Sequence, residues 1–221
     1  TKVLTVAMDV SNVEQCLALL VKAEEEFGTV DVLVNNAGMH SRGDLETVDP
    51  ADVGAMVDIN IRAPLVLSCA AIPYLRRSGG GGIVMVGSLA GMAPLQGAAT
   101  YSGTKAGLRA FAYALADEMR GTRIHVGVVS PGPIDTGFIM DEIDKVEDIV
   151  FSQPMSSPGD VADAVLKIAA GDKLEIPMPA ASGKLTNLGY LFPRLRRYLR
   201  PKLYAKGRKN KDKYRNRQVN E

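Results

Sequence analysis

The sequence is poor in the residues that build metal sites and disulfide frameworks. Its 221 residues hold two cysteines, Cys16 and Cys69, and neither stands in a metal-ligand or redox spacing. Both fall in apolar, helix-like stretches, so buried free thiols are expected, and no metal site. Long apolar runs are also lacking: none approaches the ~18 uninterrupted residues of a membrane-spanning helix. The opening TKVLTVAMDV has neither the basic n-region nor the apolar h-region of a signal peptide. With 46% hydrophobic and 23% charged residues, the chain reads as soluble and globular, in a reducing, cytoplasmic setting. It is long enough to bury one core.

Acid is scarce in one place, the carboxyl-terminal end. Residues 1–193 hold 14 Lys/Arg against 23 Asp/Glu, or −9; residues 194–221 hold 12 against Asp212 and Glu221, or +10. The formal net charge of +1 therefore hides two parts of opposite sign.

The hydrophobic pattern predicts an α/β chain. VLTVAM at 3–8 and VDVLV at 30–34 suit buried parallel strands, as do Ile83–Val86 and Ile124–Val129. Between them lie helical stretches over about 12–27, 50–77 and 101–120, with a further helix at 158–171. Asp9 or Ser11 is the candidate cap of the first, and Gly28 its stop. Ser156 or Ser157 would cap the last, which Pro158 opens. Such alternation implies right-handed βαβ units and a doubly wound, Rossmann-like parallel sheet with its site along the strand ends.

Four chemistry-bearing residues follow one another at the carboxyl ends of these elements: Asn60, Ser88, Tyr101 and Lys105. The Tyr-x-x-x-Lys pair opens a helix, which sets both side chains on one face a turn apart. An ammonium so placed stabilises a phenolate and brings the phenol, ordinarily near 10, closer to working pH. That phenol can donate a proton to a carbonyl oxygen or take one from an alcohol. Ser88 could hold the same oxygen, and Asn60 could order a water leading from Lys105 to solvent. Taken singly each residue has a plain structural reading: a surface Tyr/Lys pair, a turn serine, a capping asparagine. Only the combination points to catalysis.

With these motifs in hand, the chain resembles the short-chain dehydrogenase/reductase family over roughly residues 3–171. The resemblance rests on Asp9-Val10, Asn35-Asn36-Ala37-Gly38, Asn60, Gly87-Ser88, Tyr101-Ser102-Gly103-Thr104-Lys105 and Pro131-Gly132-Pro133-Ile134-Asp135-Thr136, in order. It implies hydride transfer between NAD or NADP and a carbonyl/alcohol pair; the residues do not give the choice between the two, and NADP is the one favoured. Tyr101 would be the general acid/base, Ser88 would orient substrate, Lys105 would also contact the nicotinamide ribose, and Asn60 would complete a proton relay. By the same resemblance Asp9 and Val10 would flank the adenine. Asn35, Ala37 and Gly38 would pass under the cofactor. Pro131, Gly132, Ile134 and Thr136 would embrace the nicotinamide. A homo-dimer or tetramer formed through the helices at 50–77 and 101–120 is implied as well.

The family's opening strand and TGxxxGxG turn do not precede Val3. The glycines Gly79–Gly82 are no replacement, since they follow a helix and precede a strand, the reverse of a phosphate cradle. The expectation is an N-terminally truncated Rossmann-like domain over 1–175, a fragment rather than a naturally short member, with weak or no cofactor binding on its own. The alternative is a catalytically silent remnant acting as an interaction module.

Residues 136–157 occupy the place of a substrate lid, with Phe138, Ile139, Met140 and Phe151 as candidate apolar walls and Gln96 a weaker candidate; a lipophilic carbonyl or secondary alcohol is the expected substrate. Over 176–204, Leu185, Leu188, Leu191, Phe192, Leu195, Tyr198, Leu199 and Leu203 recur at three- and four-residue intervals among arginines, with Pro193 and Pro201 as breaks. Such a basic amphipathic segment, 185–217 at its widest, suits an anionic membrane surface. A solvated extension, or a helix packed on the acidic body or a partner subunit, would read the same way. Residues 205–221 are expected to be disordered. Nucleic acid is not an expected partner, because the −9 body would repel phosphate.

Overall fold

The computed structural model describes the backbone of residues 1–220 and the side chains of residues 1–216. Strands β1 (Val32–Asn35), β2 (Gly81–Val86), β3 (Ile124–Pro131) and β4 (Glu175–Met178) form one parallel sheet in that order. The two-residue period of a strand sends Ile83, Met85, Val126 and Val128 to one face and Val84 and Val129 to the other. The first face is covered by α1 (Val13–Phe27), α3 (Ala63–Arg77) and α5 (Ala99–Glu118), whose Leu20, Leu75, Leu108 and Ala112 are buried against it. The second is covered by α7 (Pro158–Ala169) through Ala164 and Ile168. Truncating a wholly buried side chain such as Leu75 to alanine would cost about 2–5 kcal/mol. The doubly wound expectation thus stands.

Several boundaries move. Residues 3–8 form no strand: no ladder partner lies alongside them among the described residues, and Val3 is 78% exposed. The apolar edge of the sheet is β1 instead, with Val32 and Val34 exposed beside buried Leu33. Helix α1 is capped by Asn12, which accepts from Gln15 N at 3.0 Å, not by Asp9 or Ser11; Gly28 closes it at φ 83° as expected. Ser157 caps α7 in a reciprocal capping box with Asp160. Cys16 is buried, but Cys69 is exposed; both are free.

The helical run at 50–77 is divided. Helix α2 (Pro50–Val57) passes through a π turn at Asp58–Arg62 into α3. By length and composition this run could cross a membrane. Its Met56, Leu67, Ala71 and Leu75 are instead buried in the core. The π turn contains Asn60, which is wholly buried, and π turns recur where a side chain must be re-aimed for function.

Past β3 the chain makes α6 (Gly137–Met140), two 3-10 turns (Ile143–Lys145 and Asp148–Ser152), then α7, β4, α8 (Ala180–Leu191) and α9 (Pro193–Asn220). The segment expected to be disordered from 205 is helical to Asn220, Glu221 lying outside the described residues, and Pro201 lies inside α9 without ending it. The reason is tertiary. Arg208 and Lys211 meet Asp148, Lys211 donates to the Val146 carbonyl at 2.6 Å, Arg215 meets Asp144, and Tyr214 packs on Phe151. Gly207 is seated so closely on the Asp148 carbonyl that no Cβ fits there.

Candidate active site

The strand ends, α4 (Leu89–Met92) and the start of α5 converge on a cavity of about 800 Å³. Ser88, Tyr101 and Lys105 line it together with Ala37, Gly38, Pro131, Gly132, Ile134 and Thr136. Asp9, Val10 and Asn35 do not. Asp9 is exposed and accepts from Ser11 N at 2.8 Å, a turn role that also lowers its carboxyl. Asn35 is buried and bonds Ser68 and Met85 instead.

The catalytic candidates are assembled by short local devices. Ser88 caps α4, accepting from Ala90 N at 3.1 Å, which holds its hydroxyl at the end of β2. From there it acts on the Tyr101 phenol, lowering it against the effect of burial. Lys105, buried one turn along α5, places Nζ 5.8 Å from the Tyr101 ring centroid and donates to the Val86 carbonyl at 2.8 Å. Beneath them Asn60 Oδ1 accepts from Met39 N and its Nδ2 donates to the Met39 carbonyl, both at 2.9 Å. This two-point clamp fixes the chain just past the Asn-Asn-Ala-Gly motif. Gly38 sits in the gap it leaves: a Cβ there would lie 3.3 Å from Asn60 Oδ1 and 3.5 Å from Lys105 Nζ.

Electrostatically the site departs from the simple Tyr/Lys argument. Burial pushes the Tyr101 phenol above its ordinary value, and the opposing influences are the Ser88 hydrogen bond and the charge of Arg42, not Lys105. Burial pushes Lys105 itself down to about 8. Desolvation penalises every charged form and is the leading influence on both groups here.

Two residues that sequence reasoning passed over complete the site. His40 stacks on Tyr101 with ring centroids 4.1 Å apart and planes 13° from parallel. Its Nδ1 lies 2.9 Å from Arg42 Nη1, and since a guanidinium only donates, Nδ1 accepts and the ring proton is on Nε2. Burial, then the Arg42 charge, pushes His40 down to about 3, so the ring is neutral. Arg42 also donates to the Phe138 carbonyl at 2.9 Å and faces Glu142 at 3.5 Å, which ties the motif loop to the 136–157 segment. The available signal was that His40, one of two histidines, falls two positions after the Asn-Asn-Ala-Gly motif.

Of the candidate apolar walls, Phe138 and Ile139 line the cavity; Met140 and Phe151 do not, and are buried behind it in one cluster with Ile139, Ile143 and Val146. Gln96 is not among the lining residues and contacts Arg200 of α9. Helices α8 and α9 close the far side with Leu185, Arg196, Leu203 and Lys206.

The donor set fits the nicotinamide end of a dinucleotide: a glycine-floored gap beside a buried ammonium, opposite a backbone wall at Pro131–Thr136. For the pyrophosphate it offers nothing comparable. Among the described residues, no glycine-rich turn leads from a strand into a helix N-terminus; Gly79 and Gly80 make the αβ turn after α3, and Gly81 and Gly82 open β2.

Comparison with known proteins agrees with this geometry. A family model described as short chain dehydrogenase matches residues 1–147. A ketoacyl reductase of Nostoc sp. is 31% identical over 176 residues, 79% of this chain and 60% of that protein. An oxidoreductase of Botryotinia fuckeliana is 30% identical over 200 residues, 90% of this chain and 72% of its own length. This chain therefore spans less than two thirds of the first relative's length. A short-chain dehydrogenase structure from Streptomyces avermitilis, 24% identical, superposes with a TM-score of 0.71 over 89% of this chain and 76% of that one, and attests the fold. The chain belongs to the short-chain dehydrogenase family.

Proposed function

We propose that this chain carries the proton-handling and nicotinamide-binding part of an NAD(P)-dependent oxidoreductase acting on a carbonyl or secondary alcohol. The observation behind this reading is that Ser88, Tyr101 and Lys105 meet in the same cavity as Gly38 and Pro131–Thr136. NAD(P), when bound, supplies the hydride chemistry. Tyr101, held protonated by burial, donates its proton to the substrate oxygen during reduction and recovers one in the reverse direction. Ser88 fixes that oxygen beside the phenol, and Lys105 holds positive charge under the site. Asn60 keeps the motif loop in register by its clamp on Met39. NADP is the proposed preference; a Schizosaccharomyces pombe relative, 29% identical, is named an NADP-dependent 3-hydroxy acid dehydrogenase.

The exposed, apolar edge at β1 supports a further part of this reading. A further strand–turn–helix unit could pair there and present a phosphate cradle at its helix N-terminus. Self-association through α2, α3 and α5 is proposed on the family likeness. The test is a carbonyl-reduction assay with NADPH and NADH, on this chain and on a version extended by such a unit, each with and without Tyr101→Phe. Activity in the extended form that Tyr101→Phe abolishes supports the proposal. Activity in neither form overturns it in favour of a silent interaction module.

A further inference from the structure

The corner where α8 turns into α9 exposes large apolar side chains that the fold leaves uncovered. Tyr190, Leu191, Phe192 and Tyr198 are between 54% and 71% exposed, and Leu188 and Leu195 somewhat over 40%. Scattered exposed leucines need no explanation, but a contiguous patch does. The charge around it is of one sign. Between Glu175 and Asp212 the sequence holds ten Lys/Arg and no acid.

The structure divides those cations into two sets. Arg200 is turned onto Gln96 and Tyr204, while Arg208 and Lys211 are bound to the acidic lid region. Arg194, Arg197 and Lys202 are exposed beside the apolar corner. Arg194 and Arg197 have no acidic partner among the described residues, and Lys202 lies over the Tyr198 ring at 5.8 Å. The packed part of α9 thus consumes one face of the basic segment, and the surface left over is an apolar knob rimmed by exposed cations.

We propose that this α8–α9 corner docks on an anionic membrane surface, its apolar side chains entering the interface and Arg194, Arg197 and Lys202 meeting the headgroups. Charge complementarity selects this occupant. A second copy seated corner to corner would set two surfaces of the same sign against each other, since no acid lies between Glu175 and Asp212. An anionic bilayer satisfies both the apolar and the cationic elements. The same helices supply Leu185, Arg196, Leu203 and Lys206 to the cavity wall, so the bilayer would lie beside the cavity. That a membrane-borne substrate enters there rests on the oxidoreductase reading; the docking does not.

The test is co-sedimentation of the full chain with phosphatidylcholine vesicles, with and without phosphatidylglycerol, at low and high salt. Binding is expected only with phosphatidylglycerol and should weaken with salt. Arg194→Gln/Arg197→Gln/Lys202→Gln should weaken it on the order of a hundredfold, and Leu191→Ser/Phe192→Ser should weaken it as well. Lys209→Gln/Lys213→Gln, at exposed positions on the packed part of α9, should change it little; circular dichroism would verify that all variants fold. No binding, equal losses in the control and corner variants, or a dimer in vesicle-free buffer that Leu191→Ser/Phe192→Ser dissociates would each overturn the proposal. None of these readouts involves activity.

Discussion

The His40 ring lies flat against Tyr101, with centroids 4.1 Å apart and planes tilted by 13°. The imidazole shuts water off one face of the proposed acid/base and is kept neutral by burial and by Arg42. Its folded-state value, about 3, is below the ordinary 6.5, so between these values the unfolded chain binds the extra proton. Stability is therefore expected to fall as the pH drops from about 6.5 toward 3, by up to about 1.4 kcal/mol per pH unit. Urea unfolding of wild type and His40→Gln across that range measures it: the variant should show the shallower dependence, and equal slopes would refute the assignment.

Tyr101→Phe keeps the ring and its stacking while removing the transferable proton. In the extended form, turnover is expected to fall by about 10²–10⁴, the contribution of general acid catalysis, with little change in melting temperature. Because burial raises the phenol, alcohol oxidation in the wild type should keep gaining rate into the alkaline range. Initial rates in both directions against pH would establish this.

Lys105 is held at about 8 against an ordinary 10.5. The unfolded chain carries the extra proton between those values, so this group makes stability rise with pH from about 8 to about 10.5. Lys105→Met removes the buried cation. It should abolish that rise and stabilise the neutral-pH fold by about 1–2 kcal/mol, a gain of a few degrees, while eliminating activity. A lower melting temperature in the variant would show that the Val86 bond outweighs the desolvation.

Glu175 anchors β4 from the sheet edge. It accepts from Arg109 at 2.8 and 2.7 Å, from Tyr113 at 2.8 Å and from Ser130 at 2.7 Å. Burial acts to raise its carboxyl, but these donors together hold it below the ordinary value. Its contribution is complete above the unfolded-state value and is lost as pH falls through the folded one. Glu175→Gln should cost about 1–3 kcal/mol at neutral pH, read by denaturant titration; an unchanged midpoint would exclude the anchoring role.

Gly207→Val would drive a side chain into the Asp148 carbonyl, which belongs to backbone that cannot swing away. Helix α9 is expected to detach from the lid region, measured as faster proteolysis after residue 191 with the melting of the sheet core little altered. Protection equal to wild type would show that the lid backbone shifts to make room.

Sequence patterns sufficed for β1 to β3 and the helices between them, for the stop at Gly28 and for a cap at Ser156 or Ser157, because these depend on local periodicity and on turns of a few residues; the apolar run at 3–8 has the same pattern but no neighbour to pair with. That Ser88, Tyr101 and Lys105 share one cavity follows from the end of β2 and the first two turns of α5, places that local pattern gives; that Asn60 clamps Met39 from a π turn does not. Strand β4 was not, since EIPM is four residues long, contains a proline and is extended only because β3 lies beside it. Nor could spacing reveal that burial, not the neighbouring ammonium, dominates the Tyr101 phenol, or that His40 covers it, because both depend on what packs around the ring. The tail shows the division most clearly. By itself its polar sequence could not form a stable helix, having too little apolar surface to offset the entropy of ordering. Only the tertiary structure, by setting Asp144 and Asp148 and the Phe151 ring opposite Arg208, Lys211 and Tyr214, supplies the partners that make it one.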